Sequence, residues 1–174
     1  MIKLMLTLVL VSVLDPAMAA QSSSSIQGVW RPVEITITAV RGADRVDPFD
    51  AFPRGTHTTL QPALVIFTAR HYSRTTDTAA EPRPTTGYRR PNTPTVEELQ
   101  AQWGPFAANA GTYVLSGDML TIHTLVAKEP RAQREGNFTR FIVAVDGNAL
   151  TLTTVENEAG RFANPLTSKY VRVE

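Results

Sequence analysis

The side chains best equipped for chemistry in this sequence are His71, His123 and Arg140, with Tyr72, Tyr113 and Trp103 as candidate ligand contacts. An imidazole titrates near neutrality, so His71 and His123 can hydrogen-bond a ligand or act as acid or base. The plainer reading of each is a histidine bonded to core backbone, or one that faces solvent. Arg140 sits among Phe138, Phe141 and Ile142. Pointing inward, it needs a carboxylate or a ring of acceptors, because an unpaired buried charge is strongly destabilising. An acidic ligand group would be such a partner. A structural Asp or Glu, or a rim position where the side chain reaches water, would serve equally. Tyr72 and Tyr113 either point their hydroxyls into a cavity or lie outside. Trp103 and Phe106 can form one wall of a pocket at the end of a barrel, or simply pack.

Several chemistries are excluded. The chain has no cysteine, which removes disulfides, thiolate metal sites and thiol nucleophiles. No His-x-His or His-Glu-x-x-His spacing occurs among the three histidines, and a zinc site needs three or four converging ligands. There is no Gly-x-Ser-x-Gly elbow and no glycine-rich phosphate loop,. No cofactor or metal is therefore expected. Lys and Arg total 17 against 16 Asp and Glu, a net charge of +1. That balance argues against nucleic acid as a partner, which calls for clustered positive charge. Arg83, Arg89 and Arg90 form a basic loop, read as solvated surface or as an anion-attracting mouth,.

The elements that must hold these residues are mostly strands. The 174 residues suit a single domain,. Val29–Val40 is rich in Val, Ile and Thr and alternates in its second half,. Residues 41–61 read as loop, and Ala63–Ser73 as one strong strand. Residues 74–95 form a long polar connection containing Pro82, Pro84, Pro91 and Pro94, with extended pairing expected near Thr85–Arg90. Thr95 and Glu98 have capping-box spacing, so a helix is predicted from there to about Trp103, where Gly104-Pro105 interrupts it,. Thr112–Ser116 and Met119–Lys128 flank a turn at Gly117-Asp118. Phe138–Val145 and Ala149–Val155 flank Asp146-Gly147-Asn148, and Thr167–Val173 closes the chain,. One strand counted in the 83–90 region brings the total to about eight. Alternation puts Leu120, Ile122 and Val126 on one face and Met119, Thr121, His123 and Leu125 on the other. On the next strand Phe138, Arg140, Ile142 and Ala144 oppose Phe141, Val143 and Val145. The predicted class is all-β, an antiparallel barrel of about eight strands with one short helix.

Residues 1–19 read as a signal peptide. Lys3 gives a positive start, Leu4–Leu14 an uncharged apolar run, and Ala17-Met18-Ala19 small residues for cleavage before Ala20,. The run is too short to cross a bilayer as a helix. Residues 20–27, with Gln21–Ser25, form a flexible leader, and residues 28–174 form the barrel domain. Export to a periplasm or the cell exterior is the expectation.

Gly28-Val29-Trp30 opens the first strand. Phe67-Thr68-x-x-His71-Tyr72-Ser73 follows, then Trp103-Gly104-Pro105-Phe106-Ala107-Ala108-x-x-Gly111-Thr112-Tyr113. Gly117-Asp118-x-Leu120-Thr121 and Asp146-Gly147-Asn148-x-Leu150-Thr151-Leu152 complete the series. In this order they resemble the bacterial lipocalin-like domain family over roughly residues 26–174. The resemblance implies a calycin-type barrel, often exported, whose cavity holds a small apolar or amphiphilic molecule, with Trp30 packed across its floor. True lipocalins differ in their disulfide and in the placing of their helix. Three functions follow as expectations. One is binding of such a molecule in the lumen. Another is cofactor-independent isomerase or cyclase chemistry in the same cavity. The third is protein interaction through the long loops. A lumen filled by aromatics favours the third; an open lumen faced by His71, His123 or Arg140 favours the first two.

Overall fold

The computed structural model describes residues 26–38, 55–58, 60–79, 81–84 and 94–174. Its elements in chain order are β1 (Gly28–Ile37), β2 (Gly55–His57), β3 (Ala63–Phe67), β4 (His71–Asp77), α1 (Val96–Trp103), β5 (Phe106–Ser116) and β6 (Met119–Ala127). A 3-10 turn (Pro130–Gln133) precedes β7 (Thr139–Asp146), β8 (Ala149–Asn157), β9 (Gly160–Arg161) and β10 (Leu166–Arg172). The signal segment, the leader to Ser25, Thr85–Arg90 and most of the 41–61 stretch lie outside the described residues.

The strands form a closed antiparallel barrel of eight staves, in the order β1-β3-β4-β5-β6-β7-β8-β10. Pairing of β10 with both β8 and β1 closes the ring. Closure gives every stave a neighbour on both sides, although β6 and β7 pair only over Met119–Ile122 and Thr139–Ile142, and β1 and β3 only over Gly28–Trp30 and Val65–Phe67. β2 and β9 are short additions to β1 and β8. The turns predicted from Gly117 and Gly147 join β5 to β6 and β7 to β8, with φ of 62° and 55° that suit glycine,. At Gly111 the reason for glycine is space: a Cβ there would run into the His123 carbonyl across the β5–β6 bulge.

Alternation fills the lumen. Leu120, Phe141, Val143, Leu150 and Leu152 are buried and belong to one core cluster with Trp30, Val65, Phe67, Tyr72, Tyr113 and Tyr170. Each such side chain contributes about 1.5–3 kcal/mol when fully buried. Trp30 is entirely buried. Its indole N–H donates to the Ile26 carbonyl at 2.8 Å, and the Arg172 guanidinium lies 4.1 Å from its ring centre. α1 has the expected cap: Thr95 Oγ1 accepts from Glu98 N, and Glu98 accepts from Thr95 N. It ends at Trp103, before Gly104, and buries none of its residues.

Four expectations need correction. Ala63–Ser73 is not one strand but two, β3 and β4, folded back at Thr68-Ala69-Arg70. Thr68 makes that turn without glycine or proline. Its N–H donates to the His71 carbonyl at 2.9 Å, and its Oγ1 accepts from His71 N at 3.2 Å. The polar connection therefore starts later, because Arg74–Asp77 belong to β4, which supplies a stave the sequence reading had not counted. Within the loop read at 41–61, Gly55–His57 pairs with β1, and Thr36 and Thr56 share a hydroxyl hydrogen bond of 2.9 Å. Phe106 starts β5 rather than standing apart after the helix, paired in register with Asp77.

Candidate functional site

The barrel contains a small cup, with a cavity volume of about 30 Å³. One side of its wall is Val65, Phe67, Tyr72 and Arg74 from β3 and β4. Leu120, Ile122, Phe141 and Leu152 from β6, β7 and β8 line it further, and Leu166, Ser168 and Tyr170 of β10 complete it. These strands position their side chains inward by simple alternation: Tyr72, Arg74 and Thr76 face in along β4, and His71 and Thr75 are exposed,. The wall is mostly apolar, with a guanidinium, two phenols and one serine hydroxyl. A volume of about 30 Å³ exceeds the about 10–15 Å³ a cavity needs to admit a water,. A larger occupant must displace side chains or extend out of the cup.

Two of the tyrosine hydroxyls in this region are already engaged. Tyr72 OH shares a 2.9 Å hydrogen bond with Thr124 Oγ1, and Tyr113 OH donates to the Thr68 carbonyl at 2.6 Å. Phe67 packs between the rings, 5.3 Å from Tyr113 edge-to-face and 6.5 Å from Tyr72. Burial raises the Tyr72 hydroxyl above its ordinary pKa of 10.0, with the Thr124 hydrogen bond and the nearby Arg74 charge pulling the other way,. Burial also raises Tyr113.

Of the residues singled out from sequence, only Tyr72 lines the cup. Tyr113 is buried beside it in the core. His71 and His123 are exposed, and His123 Nδ1 lies 3.3 Å from the Asn137 carbonyl oxygen. Arg140 faces out, paired with Glu156 of β8 and stacked 4.8 Å from the centre of the Phe138 ring. The phase of β7 puts Phe141 and Val143 inside, so the structural pair is the correct reading of Arg140. Trp103 is 52% exposed and meets Phe106 edge-to-face at 6.1 Å. Arg83 belongs to this outer group: it pairs with Asp77 at 2.5 Å and covers Phe106 at 5.0 Å. Lys128 gathers the Trp103, Gly104 and Phe106 carbonyls, which ties the end of α1 to β6.

Sequence reasoning missed Arg74. Ending the strand at Ser73 left it in a loop, whereas a strand starting at His71 gives it the same inward phase as Tyr72. Among the described residues no group of three or more His, Asp or Glu is placed to hold a metal ion. No helix among them is long and apolar enough to cross a membrane. No protein-family model matches the chain, and no curated protein matches its sequence.

Proposed function

We propose that this is an exported, lipocalin-like binding protein that takes a small apolar or amphiphilic molecule into the barrel lumen. One observation carries the reading: a closed barrel holds a cup with an apolar wall and only a few polar groups, the usual make-up of a small-molecule site. The small free volume sets the size of what fits at rest. Part of the ligand occupies the cup, and the rest lies toward its opening. Export rests on the Lys3, Leu4–Leu14 and Ala17-Met18-Ala19 pattern alone,.

The test is native mass spectrometry of the protein purified from its producing cells, followed by solvent extraction. A stoichiometric added mass that extracts as one organic molecule is expected. A clean unliganded mass, together with no uptake of added 1-octanol, would overturn lumen binding.

Protein interaction is the second reading, and two observations favour it. The lumen is largely filled by aromatic and aliphatic side chains. Val114 on β5 and Leu125 and Val126 on β6 are 61%, 62% and 58% exposed, apolar side chains available for a partner to cover. A partner-dependent loss of exposure at these residues, with an empty lumen, would select it.

A further inference from the structure

The lumen-facing arginine is the feature of the cup that lacks a structural explanation. Arg74 sits on β4 between the buried Tyr72 and Thr76, half-buried, against a largely apolar wall. Its one side-chain hydrogen bond among the described residues is long, from Nε to Thr76 Oγ1 at 3.4 Å. The ion pairs among those residues engage Arg83, Arg131, Arg140 and Lys169, and none engages Arg74. Asn109 is the register partner of Arg74 on β5, and its Oδ1 is buried with no hydrogen-bond partner. A half-turn of that amide exchanges its acceptor for a donor. Two neighbouring polar side chains are thus left short of partners at the same stretch of wall.

Resting on the lumen-binding reading, we infer that the occupant is a carboxylate-bearing amphiphile, its carboxylate held by Arg74 and its apolar body against the Leu120–Phe141 wall. A guanidinium presents a planar fork of donors that matches the two oxygens of a carboxylate. The carboxylate in turn supplies the counter-charge that the apolar cup does not give Arg74. A carboxylate group is of the size of this small cavity, and leaves the body of the molecule to follow the wall outward.

Octanoate and 1-octanol share an eight-carbon chain and differ in charge, so they separate this inference from the reading beneath it. Isothermal titration of the full protein is expected to show octanoate binding about tenfold more tightly than 1-octanol, the size of one charge-assisted hydrogen-bonded pair. In Arg74→Gln the preference is expected to vanish through loss of octanoate affinity, by about tenfold. Arg74→Lys keeps the charge without the fork and is expected to retain part of the preference. Equal affinity for the two probes in the parent protein overturns the carboxylate assignment and leaves lumen binding standing. An unchanged preference in Arg74→Gln overturns the role of Arg74. If neither probe binds, lumen binding falls and the assignment falls with it. The comparison of probes in the parent protein stands whether or not a variant folds.

Discussion

Replacing Trp30 by Phe tests how the core is locked at the start of the barrel. Trp30 is wholly buried, and β1 at this point pairs with Val65 on one side and Arg172 on the other. Phenylalanine removes the indole N–H and leaves the Ile26 carbonyl without its 2.8 Å partner, a loss of about 1–3 kcal/mol for a buried acceptor. The smaller ring also leaves a void of about 40 Å³, worth about 1 kcal/mol if the neighbours do not collapse. Arg172 keeps an aromatic face beneath it, but a phenyl ring attracts a cation less than indole does, a further loss of about 0.5 kcal/mol,. The expected destabilisation is about 3–4 kcal/mol, which lowers the melting temperature by about 10 °C for a domain of this size. Urea unfolding followed by far-ultraviolet circular dichroism reads it without relying on tryptophan emission. Trp103→Phe is the matched control. That ring is 52% exposed, so its loss should stay below about 1 kcal/mol. A Trp30→Phe variant within about 1 kcal/mol of the parent, at unchanged urea dependence, would refute the reasoning.

The remaining expectations are narrower. Tyr72 and Tyr113 both hold their protons more tightly folded than unfolded, so they contribute stability that is fully present below the ordinary tyrosine range and is lost as pH rises from about 10 through their raised values. Stability measured against pH should therefore fall on the alkaline side, and Tyr72→Phe should flatten that fall while removing the Thr124 hydrogen bond, about 1 kcal/mol at neutral pH,. Arg140→Ala should change stability by less than about 1 kcal/mol, because its pair with Glu156 is solvent-exposed,. Like His71→Ala and His123→Ala, it should leave 1-octanol affinity in titration calorimetry unchanged. Arg74→Met should raise the stability of the unliganded protein by about 1 kcal/mol, or about 2–4 °C in melting temperature, by removing a charge with no partner in the cup.

The hairpin-rich second half of the barrel was readable because its turns carry the residues that turns demand. Gly117 and Gly147 take positive φ, and beside them Leu120, Phe141, Val143, Leu150 and Leu152 fall at alternate positions facing the core. The capping box at Thr95 and Glu98 was equally plain, since both groups lie within one helical turn. The β3–β4 hairpin was hidden because Thr68-Ala69-Arg70 contains no turn-forming glycine, asparagine or proline. Its stability comes from Thr68 bonding to His71 and from the long-range pairing that follows. That single miss also concealed the candidate site, because it moved Arg74 out of a strand. Arg140 was ambiguous for a different reason. Apolar residues occupy both faces of β7, with Phe141 and Val143 inside and the 45% exposed Ile142 outside, so alternation alone does not say which face is the lumen. Only closure of the ring decides it, and closure depends on contacts far apart in sequence.

The barrel cup as the binding site is tested most directly by filling it. Ile122 is half-buried, lines the cup and sits on a strand whose pairing with β5 and β7 does not involve its side chain. Ile122→Trp adds volume there at a stability loss of about 1–3 kcal/mol for overpacking, which circular dichroism and a melting curve will register. Titration calorimetry of this variant with 1-octanol and octanoate is the measurement to make. The expected result is at least about a tenfold loss of affinity for both probes, with the strand spectrum intact. Undiminished binding of both probes in a folded Ile122→Trp protein would contradict a site in the lumen.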